Sequence, residues 1–314
     1  MATYLITQAT GVQALLTIGN LLAAGAKVHA LVRDPLKIPD VLERPGVTVF
    51  GRDNENPEAI LKAAQGCKGV FLNTYPSSTD INSEGQQAKL VLEACKKAGV
   101  EIVVASTSFK TGDRDMWDNA DSRELVGPYY QSKSNIEEAV RGAGLKTYTI
   151  LRPAFIHHDY VLPYVAWNYP DLPKSGTLGH AFNDGVGLLH IDPQDIGRYA
   201  AAALLDPVKF GGQEIELANE CLTIEEVRDM MVKATGRDVK VKKWNAEEIK
   251  VAKTSILTVH FELWANIKTQ TSSAKATEEK FGIPFTSLEK YFQREKAKLL
   301  ECLPDATQLK ESTS

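Results

Sequence analysis

The chain has 314 residues, 43% of them hydrophobic and 24% charged, with a formal net charge of −4. This is the composition of a globular protein large enough for one sizeable core, or for one domain with a smaller lobe. A mildly acidic chain without a run of Lys and Arg offers no face to nucleic acid, and no stretch reaches about 18 consecutive apolar residues, so neither nucleic acid nor a membrane is an expected partner.

Met1 to Thr7 run straight into a strand pattern, without the basic, apolar and small-residue segments of a secretory leader. Cys67, Cys95, Cys221 and Cys302 are scattered without CxxC spacing and read as free thiols rather than a disulfide framework or a zinc site. A cytoplasmic protein without a metal is expected.

In chain order, short β-branched runs at 3–7, 27–32, 47–51, 69–73, 101–106 and 146–151 read as strands. Helical patterns lie between them at about 12–24, 35–44, 56–65, 80–98 and 128–143. Such alternation predicts an α/β protein with a Rossmann-type doubly wound parallel sheet. Asn56-Pro57-Glu58 supplies a cap, a first-turn proline and an acid facing the helix dipole. Gly25, Gly66, Gly99 and Gly144 stand where helices should stop.

Beyond residue 154 the rhythm breaks. Segment 154–190, rich in aromatics, His, Pro and Gly, reads as loops with at most short helices. Helices resume at 193–205, at 223–235 behind a Thr223…Glu226 capping box, near 245–265, and at 286–301 behind Thr286…Glu289. The expected organisation is a dinucleotide-binding domain over 1–153 and a smaller α+β substrate lobe over 154–303. Part of the lobe returns to the first core, and 304–314 form a frayed tail.

Strand 1 leads into Thr7-Gln8-Ala9-Thr10-Gly11-Val12-Gln13-Ala14, which opens a helix. A strand, glycine turn and helix place Thr7, Ala9, Thr10, Gly11, Val12 and Gln13 against a pyrophosphate. One glycine alone is equally well read as a plain βα turn. Strand 2 ends in Val32-Arg33-Asp34-Pro35, where an arginine suits a ribose 2′-phosphate, with Lys37 one turn on in support. Asp34 would oppose that phosphate if its side chain turned inward.

Tyr129 and Lys133 form the only YxxxK in the chain. Four residues apart on a helix, they share one face, where an ammonium can lower the phenol pKa toward neutrality and equip it for acid–base work. Ser106, Thr107 and Ser108, after the fifth strand, supply three hydroxyls. Segment 109–127 contributes Met116 and Trp117, and 154–183 contributes Phe155, His157, His158, Tyr160, Trp167, Tyr169, His180 and Phe182. These side chains read as lobe core or as the wall of a pocket for a bulky, partly aromatic ligand. His157-His158-Asp159 is not read as a metal site, because adjacent residues rarely point to one centre.

TQATGVQA followed by KVHALVRDP resembles the start of the NmrA-like branch of the atypical short-chain dehydrogenase/reductases. The similarity continues through GVFLNT (69–74), Tyr129–Lys133, LRPAF (151–155), IDPQDIGRYAAAALLDP (191–207) and LTIEE (222–226), so it covers most of the chain. The resemblance implies an NADP(H) cofactor, with Asp53 near the adenine and Asn73 and Thr74 beside the nicotinamide-side ribose. Pro153 and Phe155 would complete that site. It further implies Tyr129 as acid/base, Lys133 as ribose clamp, and Ser108 ahead of Ser106 as the orienting hydroxyl.

Gln8 and Ala14 stand where the family carries the first and third glycines of GxxGxxG. Ala14 needs only close helix packing. Gln8 either strains a turn that favours glycine or adds an amide contact to the phosphates. Two functions are expected. The first is an NADP(H)-dependent oxidoreductase acting on a bulky secondary metabolite, including a redox-neutral variant that oxidises, cyclises or rearranges, and re-reduces on one bound cofactor. The alternative is a catalytically silent NADP(H) sensor that binds a protein partner. The Tyr129–Lys133 pair favours the first; the altered glycine loop favours the second.

Overall fold

A computed structural model describes residues 1–51, 56–76 and 83–304. Its first half alternates β1 (Thr3–Ile6), α1 (Val12–Ala23), β2 (Lys27–Val32), β3 (Val47–Gly51), α2 (Pro57–Ala64), β4 (Gly69–Leu72), α3 (Ser83–Lys97), β5 (Ile102–Ser106), α4 (Arg114–Trp117), α5 (Ala120–Gly142) and β6 (Thr147–Pro153). There follow β7 (Phe155–Ile156), α6 (Val165–Asn168), α7 (Leu172–Ser175), β8 (Thr177–His180), β9 (Gly187–Ile191), α8 (Pro193–Leu205), α9 (Pro207–Phe210) and β10 (Gln213–Leu217). The last part holds β11 (Cys221–Thr223), α10 (Ile224–Thr235), β12 (Lys240–Lys243), α11 (Ala246–Ala252), α12 (Leu257–Ile267), α13 (Ala274–Phe281), α14 (Leu288–Arg294) and α15 (Lys296–Glu301).

Seven parallel strands form the main sheet in the order β10-β6-β5-β4-β1-β2-β3. This is the Rossmann-type doubly wound arrangement. Side chains alternate along each strand. On β1, Tyr4 and Ile6 pack with Ile18 of α1 and Tyr199 of α8, while Leu5 packs on the other face with Ile60 of α2 and Val91 of α3. Burial on both faces is why these strands are almost wholly apolar. α1 and α8 meet closely at Gly197, where a Cβ would lie 2.7 Å from Leu16 Cβ.

Local signals act largely as their chemistry requires. Asn56 accepts a hydrogen bond from Ala59 N at 3.0 Å, with Pro57 opening α2. The Thr223–Glu226 capping box closes both of its bonds. Gly25, Gly66, Gly99 and Gly144 all adopt positive φ.

Several expectations need correction. The helix expected at 35–44 is a single 3-10 turn, Asp40–Leu42, because Asp34 Oδ1 takes Leu36 N into a tight turn and Pro39 interrupts the segment. α5 starts at Ala120 under an Asn119 cap, eight residues before the expected 128 and with Pro128 inside it. Gln213–Leu217, not read as a strand, pairs with β6 as the seventh. Segment 154–190 holds β7, β8 and β9 rather than loops alone. The helix expected at 286–301 is divided into α14 and α15, and α14 is capped by Ser287, because the Thr286 hydroxyl bonds Asp195 at 3.0 Å instead.

The lobe combines a three-stranded sheet, β11-β9-β7, and a two-stranded sheet, β12-β8, with α10, α14 and α15. α12 joins it to the main sheet: Trp264 packs with Trp117 and Tyr130, and its Nε1 donates to Met116 O at 2.8 Å. Among the described residues no helix is long and apolar enough to cross a membrane.

Candidate functional site

The turn after β1 carries Gln8 at φ 47, in the left-handed region that the glycine usual at this position would adopt freely. It is closed by Gly11 N donating to Gln8 O at 2.8 Å and Ala9 N donating to Leu31 O at 3.1 Å. Gly11 caps α1 without a side chain, so the first-turn N–H groups of the twelve-residue helix are not covered by a side-chain cap. A pocket of about 240 Å³ lies beside this turn, lined by Gln8, Thr10, Leu31, Val32, Arg33, Asp34 and Lys37. Asp34 Oδ1 is held by Leu36 N at 3.0 Å, which gives its carboxylate a local partner beside the two cations. Asp53 lies outside the described residues.

Other predicted contacts carry structural ties. Thr7 is fully buried; its hydroxyl donates to Asn73 O and accepts from Asn73 N, both at 2.8 Å, stitching the ends of β1 and β4. Ser106 Oγ donates to Gln13 Oε1 at 2.7 Å, and Thr107 Oγ1 donates to Glu137 Oε1 at 2.9 Å. Ser108, 8% exposed, is hydrogen-bonded to Tyr130 rather than to Tyr129. Each hydroxyl after β5 therefore has a protein partner. Pro153 ends β6 and accepts through its carbonyl from Phe109 N at 2.9 Å. Phe155, half-buried, stands edge-on to Tyr160 at 5.3 Å.

Tyr129 and Lys133 do share one face of α5, with Lys133 Nζ 5.2 Å from the Tyr129 ring centre. Tyr129 is half-buried, edge-on to Phe261 at 5.1 Å. Tyr130 belongs to the core, stacked on Trp117 at 5.7 Å, and burial pushes its hydroxyl well above the ordinary phenol value. Glu84, not singled out in the sequence, is the main partner of Lys133. Its carboxylate is buried and takes Lys133 Nζ at 2.7 and 2.9 Å, Thr74 Oγ1 at 2.9 Å and Ser132 Oγ at 3.2 Å. Burial draws the Lys133 ammonium toward neutrality, but Tyr129 and Glu84 outweigh it and hold the group above the ordinary lysine value. No spacing rule relates residue 84 to residue 133; only the packing of α3 on α5 does.

The lobe aromatics divide. His157, Tyr160, Tyr169, His180 and Phe182 are buried, whereas Trp167 is 59% exposed. Asp159, beside His158 at 3.6 Å, is raised by burial to about 7. Tyr160, Tyr169, His190 and Glu262 lie together in the core, joined by two hydrogen bonds and by the stacking of the two tyrosines. His190 Nδ1 lies 2.8 Å from Leu188 O, a pure acceptor, so this nitrogen carries the ring proton. Burial lowers the ring to about 4, so Nε2 is bare and accepts from the Tyr160 hydroxyl at 2.9 Å. Tyr160 stacks on Tyr169 with ring centres 5.4 Å apart. The Tyr169 hydroxyl donates to Glu262 Oε1 at 3.3 Å. Burial pushes Glu262 to about 8, while its Oε2 accepts from Ala181 N at 2.7 Å.

The NmrA-like family model matches residues 2–311. An NmrA-like family domain-containing protein of Dictyostelium discoideum is 24% identical over 208 residues, a match spanning 63% of this chain and 65% of that relative. Among solved structures, the NADPH complex of an NADPH-dependent quinone oxidoreductase from Escherichia coli superposes with a TM-score of 0.74 at 20% identity, covering 93% of this chain and 99% of that one. NmrA, a negative transcriptional regulator, in complex with NAD superposes with a TM-score of 0.72 at 20% identity, covering 96% and 98%. A further NmrA structure carries glycine in place of an asparagine and an alanine six positions apart, the spacing of Gln8 and Ala14 here. With the family model matched almost end to end, the chain belongs to the NmrA-like family.

Proposed function

We propose that the protein is an NADP(H)-dependent oxidoreductase acting on a bulky, partly aromatic small molecule. The observation that carries the reading is the pocket in which Arg33 and Lys37 stand beside the open N-terminus of α1. A helix N-terminus suits a pyrophosphate, and a guanidinium with a nearby ammonium suits a ribose 2′-phosphate. Thr10, Gly11, Val12 and Gln13 would hold the pyrophosphate, and Asn73, Thr74 and Lys133 would face the nicotinamide half. When bound, the cofactor supplies or accepts a hydride. Tyr129 would hand a proton to, or take one from, a substrate oxygen, and the Lys133 charge would favour the phenolate that this exchange creates. Phe261, edge-on to Tyr129 at 5.1 Å, would offer a substrate an aromatic surface beside the proposed acid–base group. Such a site also serves a redox-neutral sequence in which substrate is oxidised, rearranged and re-reduced on one cofactor. The free thiols fit a reducing cytoplasm.

A second reading, a cofactor sensor with a protein partner, is favoured by Gln8 in the glycine turn and by the engagement of Ser106, Thr107 and Ser108 with protein groups. Fluorescence titration tests the cofactor assignment. NADPH should bind at least about tenfold more tightly than NADH, and Arg33→Asp should reverse the order. Equal affinities would remove the assignment. Consumption of NADPH with a naphthoquinone acceptor, or its absence across a panel of aromatic ketones and quinones, separates enzyme from sensor.

A further inference from the structure

Lysine carries three N–H donors. Two acceptors for Lys133 are the two oxygens of Glu84, at 2.7 and 2.9 Å. The carboxylate is itself fixed from two further sides, by Thr74 of the loop after β4 and by Ser132 of α5. It sits in the first turn of α3, where the helix dipole favours an anion. Burying such a charge is costly unless every oxygen is paired, and Glu84, 2% exposed, meets that condition. An ammonium needing only to be charged could have reached solvent. Here a buried anion dictates its orientation.

We infer that Glu84 is the positioning residue of the site: it orients the Lys133 ammonium so that the remaining N–H faces the Tyr129 ring and the nicotinamide-ribose side of the cleft. The inference rests on the cofactor reading above and assigns Glu84 no contact with cofactor or substrate. Glu84 should therefore act chiefly through Lys133, with Thr74 as its lesser partner, and only on the nicotinamide half of the ligand.

Two probes separate these halves: NADPH, and adenosine 2′,5′-bisphosphate, which lacks the nicotinamide ribose. Glu84→Gln should weaken NADPH by about tenfold, the worth of one misdirected charged hydrogen bond, and leave the bisphosphate within about twofold. Lys133→Met should do the same, and the double variant should lose far less than the two single losses combined, since Lys133 is the group that Glu84 chiefly orients. Should Glu84→Gln fold poorly, the double variant, which removes both buried charges together, still decides the matter. Equal losses for both ligands, or additive losses in the double variant, would overturn the inference. A third readout needs no cofactor. Acetylation of Lys133 by acetic anhydride at pH 8, followed by peptide mass, should rise several-fold in Glu84→Gln as the amine is released and neutralised. Unchanged labelling would also overturn it. If the native protein binds neither nucleotide, the cofactor reading fails while the labelling result still stands for or against Glu84.

Discussion

Glu262 is the group whose ionisation should leave the clearest mark on stability. Glu262 is 1% exposed and burial pushes its carboxyl from 4.5 to about 8, while its oxygens accept from the Tyr169 hydroxyl and Ala181 N. The unfolded chain sheds this proton near pH 4.5 and the folded chain near 8. Between those values the folded state binds one proton more, so stability falls as pH rises and levels off once the folded carboxyl ionises too. At about 1.4 kcal/mol per pH unit, the loss reaches roughly 4 kcal/mol at pH 8. Glu262→Gln removes the titration and keeps the bonds, since an amide N–H can donate to Tyr169 and its oxygen can accept from Ala181 N. The two proteins should be of similar stability at pH 4.5. The variant should be more stable at pH 8 by up to about 4 kcal/mol, a rise in melting temperature of roughly 5–10 °C. Urea unfolding at both pH values measures the difference. A variant weaker than the native protein at pH 8 would show that the buried carboxylate is stabilised by its donors there, and the upward shift of Glu262 would be wrong.

Tyr129→Phe should leave folding and NADPH affinity nearly unchanged and reduce turnover by about two to four orders of magnitude if Tyr129 exchanges the proton; retained activity would remove it from the mechanism. Its neighbour separates chemistry from packing: Tyr130→Phe breaks a buried bond to Ser108 and should cost about 1 kcal/mol of stability with little effect on turnover. Gln8→Gly should stabilise the cofactor-free protein by roughly 1 kcal/mol in urea, because only glycine adopts positive φ freely, whereas Gln8→Ala keeps the strain and should not. If alanine stabilises as much as glycine, the side chain rather than the backbone is responsible.

Most of the main sheet was legible because the relevant signals are local. β1, β2 and β4 to β6 are largely buried apolar runs, β3 is a half-buried edge of the same type, and the connections carry local marks such as the Asn56 cap and the glycine stops. β10 has no strong local signature, because Gln213-Glu214-Ile215-Glu216-Leu217 is an edge strand whose acids pair with Arg141 and Arg152. The segment also stands far in sequence from its partner β6. The start of α5 is obscured because Pro128 reads as a boundary, while the actual cap, Asn119, lies inside a charged stretch without clear apolar periodicity.

The candidate site was legible in its residue types but not in its pairings. YxxxK spacing placed Tyr129 and Lys133 on one face, and the end of β2 placed Arg33 and Lys37 by one pocket, because both relations hold within a single element and its loop. Which hydroxyl addresses which tyrosine is a tertiary relation. Ser108 lies two residues beyond the end of β5, and its sequence position does not choose between the two rings; the burial of Tyr130 between Trp117 and Trp264 decides for Tyr130. Glu84 and Glu262 were invisible for the same reason. Each lies on a helix whose partner helix or strand comes from elsewhere in the chain, and each takes its chemistry from being enclosed there. The setting of both carboxylates thus depends on enclosure that no motif records: Glu84 is bonded by Lys133, Thr74 and Ser132, and Glu262, raised by burial, accepts from Tyr169 and Ala181 N.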